Sequence, residues 1–321
     1  MKKLLILIVA ILLLMCLVLT SCEITLGNGG DEQSTESETE SATESESESE
    51  EETESETEEE SSEEPEGIID GPFRYIERDD GTYAIACHDM TMKNVEIPSE
   101  YEGGEVVAIA KYAFKGSKAT KIVLPDTIVE FEKGAFSECS LLESITIPEG
   151  VVAISESAFD SCHSLKEVIF HDDVLIIGPY AFRNCMALEE VVLPYKVKYI
   201  QNSAFFKCTS LKSVDMGTMV TRIGAEAFYG CNSLTEVFVP DTVTEIGDFA
   251  FAFCSAIEKA CIPDSVLVVG QRIFVSCTAL TDIYCAGPAP AEGKAPDGWK
   301  FSWNQGCDAN VWWEYDLSLV E

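Results

Sequence analysis

Eight phenylalanines, Phe114, Phe136, Phe159, Phe182, Phe205, Phe228, Phe251 and Phe274, are separated once by 22 residues and six times by 23. No other feature constrains the chain so strongly, because a unit this short cannot bury its own apolar face and has to stack on its neighbours. Seven of the anchors have a cysteine three residues later: Cys139, Cys162, Cys185, Cys208, Cys231, Cys254 and Cys277. Six residues after the same anchors come Leu142, Leu165, Leu188, Leu211, Leu234, Ile257 and Leu280. Paired apolar positions follow, as in Ile145/Ile147, Val191/Leu193 and Val237/Val239, with the alternation of a short strand. Proline often comes next (Pro125, Pro148, Pro194, Pro240, Pro263) and ends the ladder, having no N–H to donate. A second apolar pair, closed by Ile200, Ile223 or Ile246, leads back to the next Ala-Phe, often through glycine.

The stretch CNSLTEVFVPDTVTEIGDFAF, from Cys231 to Phe251, resembles the BspA-like, treponemal-type leucine-rich repeat, as do the copies around it. The resemblance covers residues 93–286. It implies a leucine-rich repeat solenoid of about eight repeats of 22–23 residues, with short parallel strands on a concave face and turns or short helical segments opposite. The first unit departs from the pattern, with Ser117 and Thr120 in place of Cys and Leu, and the last has Ile273 in place of Ala. Terminal repeats are commonly atypical because they close the stack.

In such a stack each repeat position forms a column of like residues about 4.8 Å apart, so an interior column needs side chains that pack on copies of themselves. Phe, Leu and Ile fill volume, and alanine beside phenylalanine permits a tight turn. The cysteine column reads as a ladder of reduced thiols, since buried Cys behaves as a small hydrophobe with a weak S–H donor. Disulfides between adjacent coils and metal binding are the alternatives. Metal sites cluster their ligands, however, whereas these cysteines lie one per coil.

Upstream of the repeats the chain opens MKKLLILIVAILLLMCLVLTSC, a short basic start, an apolar run and small polar residues, which makes a secretory signal over residues 1–21. Leu19, Thr20, Ser21 and Cys22 resemble a bacterial lipobox, implying lipidation of Cys22 and attachment to the membrane through that lipid. The alternative is an uncleaved helix, as the run is about the minimum for spanning a bilayer. Residues 22–66 are then the lipidated N-terminus and an acidic Ser/Thr/Glu tether. From Asp31 to Glu66 there are 19 acidic residues, no basic ones and no aliphatic side chain larger than Ala. Such a segment cannot collapse and is expected to be disordered and extended. It reaches at most about 120 Å. The net charge of −36 divides as +1 for residues 1–30, −19 for the tether and −18 for residues 67–321. That balance argues against nucleic acid, whose phosphates need a basic face. Calcium association with the Glu tract is the alternative to simple solvation.

No catalytic set is legible: the three histidines, His88, His163 and His171, lack partners at nucleophile or ligand spacing, and no phosphate-binding loop or hydrolase motif occurs. No cofactor and no metal is expected. Residues 67–92 read as an N-terminal cap containing a hairpin about Asp79-Asp80-Gly81, and residues 93–286 as the repeats. Residues 287–321 read as a C-terminal cap holding all four tryptophans, Trp299, Trp303, Trp312 and Trp313. Cys285 and Cys307 flank this tail and are left as a candidate pair. Strand alternation points one residue per coil outward, giving the stripe Val123, Thr146, Ile169, Val192, Asp215, Phe238, Cys261, Tyr284. Ile169, Val192, Asp215, Phe238 and Tyr284 are therefore the candidate ligand-binding residues. The resulting expectation is a monomeric, lipid-anchored, adhesin-like protein on the bacterial cell surface that binds an extracellular protein or a surface polysaccharide. A glycan-binding accessory lipoprotein using the four tryptophans is the alternative, with a structural envelope spacer as a third reading.

Overall fold

The computed structural model describes residues 66–291, 295–300 and 302–317. The signal, Cys22 and the acidic tether lie outside the described residues. Before the array, Phe73–Glu77 and Tyr83–Cys87 pair antiparallel, forming the hairpin about Asp79-Asp80-Gly81. Ile68–Asp70 adds an antiparallel edge strand, and Gly104–Ile109 joins the opposite side in parallel. Glu130–Phe131 then pairs with Gly104–Ile109 in the same direction. The hairpin sheet thus passes directly into the parallel pairing of the coils.

Each coil contributes two short strands, which stack into two columns. Two-residue strands at Ala153–Ile154, Ile176–Ile177, Tyr199–Ile200, Arg222–Ile223, Glu245–Ile246 and Val268–Val269 form one continuous parallel sheet. The other column divides into three parallel sheets. The first joins Asn94–Glu96, Lys121–Val123, Ser144–Thr146 and Glu167–Ile169; the second pairs Glu190–Val192 with Ser213–Asp215. The third joins Glu236–Phe238, Lys259–Ile262, Asp282–Cys285 and Asn310–Trp312. Both seams follow coils that carry His171 or Gly217 where their neighbours have proline. In those two coils the inward residues Val168 and Val214 are only half-buried, whereas Ile145, Val191 and Val237 are buried.

The core is a set of ladders. Consecutive anchor phenylalanines stack face to face with ring centroids 5.1 to 5.7 Å apart. The backbone holds this spacing. The amides of Phe136, Phe159, Phe182, Phe205 and Phe228 each donate to the carbonyl of the following coil's alanine at 2.8 Å. Burial of each large side chain contributes roughly 1.5 to 3 kcal/mol. On the surface, ion pairs join residues one coil apart, as in Lys196–Asp173 and Lys212–Glu189, and Arg183 grips Asp160 with Nε and Nη2 at 2.9 and 2.6 Å.

Among the described residues no α-helix occurs, so the Ala-Phe side consists of turns alone. The cause is visible in the backbone: most coils place two residues in the left-handed region there, such as Ser157 and Ser161, Tyr180 and Asn184, or Ser203 and Lys207. A left-handed residue every few positions interrupts any right-handed helix. The array also has about nine turns, one more than the phenylalanine anchors indicate, because the tryptophan tail supplies a coil. Its strand Asn310–Trp312 pairs in parallel with Asp282–Cys285, and Trp299 bridges to Val269.

Candidate recognition surface

On the strands of the divided column the middle residue points into the core and its two neighbours point out, because side chains alternate across a strand. The outward stripe is exposed through most of its length. Val192 retains 67 % of its accessible surface, Ile169 47 % and Phe238 42 %, with Val123, Thr146 and Asp215 also exposed. Two members behave differently from the alternation. Cys261 is 4 % exposed and Tyr284 half-buried. The pairing register sets Cys261 between Phe238 and Tyr284, so the short side chain lies between two rings. Tyr284 in turn packs against Tyr315 at a centroid distance of 4.7 Å.

Charge borders this stripe. The strand position two residues earlier carries Glu167, Glu190, Glu236, Lys259 and Asp282. The ammonium of Lys259 lies 5.0 Å from the centre of the Phe238 ring and 3.3 Å from the Glu236 carboxylate. Asp282 accepts from the Trp312 indole N–H at 2.8 Å and from the Thr281 hydroxyl at 2.7 Å. These donors hold its carboxyl below the ordinary aspartate range, the Trp312 bond contributing most. Asp215 is engaged locally, accepting the Gly217 amide at 2.8 Å.

The four tryptophans separate into two environments. Trp303 is buried and Trp299 and Trp313 are half-buried; the three rings pack together with centroids 5.0 to 6.3 Å apart. The Trp299 indole N–H donates to the Val266 carbonyl at 3.1 Å. These three close the end of the array. Trp312 is exposed and stands in register with Tyr284, extending the stripe by one coil. Periodicity missed it, because Trp312 follows Tyr284 by 28 residues instead of 23.

The cysteine column is buried, and its thiols are free. Each Sγ–H donates to the carbonyl of the preceding coil's anchor phenylalanine at 3.0 to 3.2 Å, Cys185 to Phe159 and Cys208 to Phe182 among them. Burial raises the Cys162, Cys185 and Cys231 thiols well above their ordinary value and pushes Cys208 up to about 12. A thiol so disfavoured as thiolate is a poor nucleophile and a poor metal ligand. Cys285 and Cys307 are also free, so the tail is held by packing and not by a disulfide. His163 is exposed, and His171 faces Glu149 with 3.5 Å between Nδ1 and Oε1.

A family model for the BspA type leucine-rich repeat region matches six copies, over residues 107–222 and 200–288. The chain belongs to this family. The matched span covers more than half of the 321 residues, and it coincides with the stacked coils described above. Among solved structures, a BspA-type array of this kind is similar to a leucine-rich repeat protein from Bacteroides ovatus, at 24 % identity and a TM-score of 0.53, over 68 % of this chain and 70 % of that one. It is also similar to the T. pallidum leucine-rich repeat protein, at 27 % identity and a TM-score of 0.51, over 67 % of this chain and 91 % of that one. Comparison with curated proteins finds no match.

Proposed function

We propose that this BspA-type array is an adhesin-like recognition module, anchored by lipid at the bacterial cell surface, that binds an extracellular or host protein through its outward strand stripe. The observation that carries the reading is the exposure of Ile169, Val192 and Phe238 at the same outward position of successive strands in the divided column. Contiguous apolar surface on an otherwise acidic protein tends to mark a contact site. Membership of a leucine-rich repeat family supports a protein-interaction role, and such proteins are generally not enzymes. Export and anchoring rest on the signal sequence and on the lipobox-like Leu19 to Cys22, and the acidic tether would hold the array away from the membrane.

The test is binding of the mature chain to immobilised extracellular matrix proteins and to polysaccharides, repeated with Ile169, Val192 and Phe238 together changed to Ser. Protein ligands that bind the wild type and are lost by the triple variant are the expected outcome. Binding confined to polysaccharides, lost with Trp312→Ala and not with the triple variant, would replace this reading with glycan recognition at the C-terminal coil.

A further inference from the structure

The charges around the stripe say more about what it can bind. Between the coils of Thr146 and Cys261 the lysines bordering the stripe are already paired with carboxylates: Lys166 with Glu143, Lys196 with Asp173, Lys212 with Glu189 and Lys259 with Glu236. Among the described residues Glu167, Asp172, Asp215 and Asp241 form no ion pair, and Glu190 shares Lys212 with Glu189. Glu167 and Glu190 sit two residues from Ile169 and Val192 on the same side of their strands, while Asp172 and Asp241 lie on the turns that leave the strands. An exposed aliphatic row is therefore bordered on both sides by carboxylates that outnumber the cations.

Two occupants are excluded by the same charges. The chain's own tether, with 19 acidic and no basic residues from Asp31 to Glu66, has no cation to offer these carboxylates. A second copy of the array brings a further net charge of −18 over residues 67–321, which opposes its approach to this face. We infer that the face takes an extended, cationic polypeptide segment of a different protein, in which Lys or Arg and aliphatic residues alternate along the side that lies on the stripe. The aliphatic residues would cover Ile169 and Val192, and the cations would reach Glu167, Glu190 and the Asp172 and Asp241 turns. This rests on the strand face being the recognition surface.

The test uses the mature full chain and three labelled peptides, (Lys-Lys-Val-Val)3, (Lys-Lys-Ser-Ser)3 and (Glu-Glu-Val-Val)3, with affinity read by fluorescence anisotropy at several salt concentrations. In an extended chain the first peptide presents Lys and Val in turn on one side. Both basic peptides also meet the acidic tether, but the tether has no aliphatic side chain larger than Ala and cannot tell Val from Ser. The expected result is binding of (Lys-Lys-Val-Val)3 about tenfold tighter than (Lys-Lys-Ser-Ser)3, the factor that about 1.4 kcal/mol gives. That advantage should disappear in Ile169→Ser/Val192→Ser and shrink in Glu167→Lys/Glu190→Lys, and affinity should fall as salt rises. Equal affinity for the two basic peptides, or an advantage that survives the Ile169→Ser/Val192→Ser change, overturns the inference. Binding of (Glu-Glu-Val-Val)3 that is lost in Ile169→Ser/Val192→Ser would overturn the cationic partner while leaving the strand face standing as a recognition surface.

Discussion

The thiol of Cys185 is held by two features of a stacked array: complete burial and a carbonyl one coil away. Phe159 accepts from both the Cys185 Sγ–H and the Cys162 amide, each at 3.2 Å, so removing the thiol leaves that carbonyl satisfied. Cys185→Ala is therefore expected to cost only about 1 kcal/mol, the transfer energy of one small group. Cys185→Ser should cost more, about 1–3 kcal/mol, because a hydroxyl loses more hydration than a thiol and its shorter bond reaches the carbonyl less well. Urea unfolding of the two variants gives the order directly; Ser equal to or more stable than Ala would refute it. The same burial fixes a pH dependence. Cys208 is raised from 9.0 to about 12, so its neutral form is favoured in the folded state, and the stability it contributes is complete below pH 9 and lost as the pH rises from 9 towards 12. The urea midpoint is expected to fall steadily above pH 9, and to fall less in Cys208→Ala. A second tight position is Gly247, where an added Cβ would lie 2.3 Å from the Ala225 amide nitrogen of the preceding coil. Gly247→Ala forces the coils apart and should destabilise the array by about 1–3 kcal/mol.

At the level of strands and turns, the sequence was legible wherever a coil repeats the environment of its neighbour. The phenylalanine and cysteine columns, the inward apolar pairs and the outward positions of Ile169, Val192, Asp215 and Phe238 all follow from a fixed period and from alternation. Legibility failed where that repetition stops. Cys261 points to the same side as Phe238 yet is covered by flanking rings, which alternation cannot express. The left-handed residues of the turns are Ser, Asn, Lys, Glu and Tyr as often as glycine, so no residue type announced the absence of helix. The exposed stripe and the tryptophan coil predict opposite responses to substitution. Ile169→Ser and Phe238→Ser should each change stability by less than about 1 kcal/mol, the full range of strand preference at exposed sites. Trp303→Ala should cost about 3–5 kcal/mol, since its ring is buried against Trp299 and Trp313 and its removal leaves a cavity. A stable Trp303→Ala protein would remove the tail from the folded array.

Across the whole chain, three segments of contrasting composition follow one another: an apolar leader, an acidic Ser/Thr/Glu stretch and the repeat array. In the proposed reading the apolar leader with a basic start would direct export, the acidic segment from Asp31 to Glu66, which has nothing to bury, would serve as the tether, and the repeat array would carry the recognition stripe. Cys22 lies where the first of these meets the rest, and in the proposed reading it is the residue on which display would depend. If acyl chains on Cys22 hold the mature chain, then Cys22→Ala removes the attachment without touching any coil, because two or more lipid chains give stable membrane residence and a cleaved, unlipidated chain has none. The expected outcome in the native host or a bacterial surrogate is accumulation of unprocessed precursor or release of the protein into the medium, with wild type taking up labelled fatty acid and the variant taking up none. The folded array should be unaltered in either case, showing the same urea midpoint as wild type once solubilised. A Cys22→Ala protein that is cleaved and retained like wild type, or a wild type that never acquires label, would shift attachment to the apolar run from Leu4 to Leu19 acting as an uncleaved span.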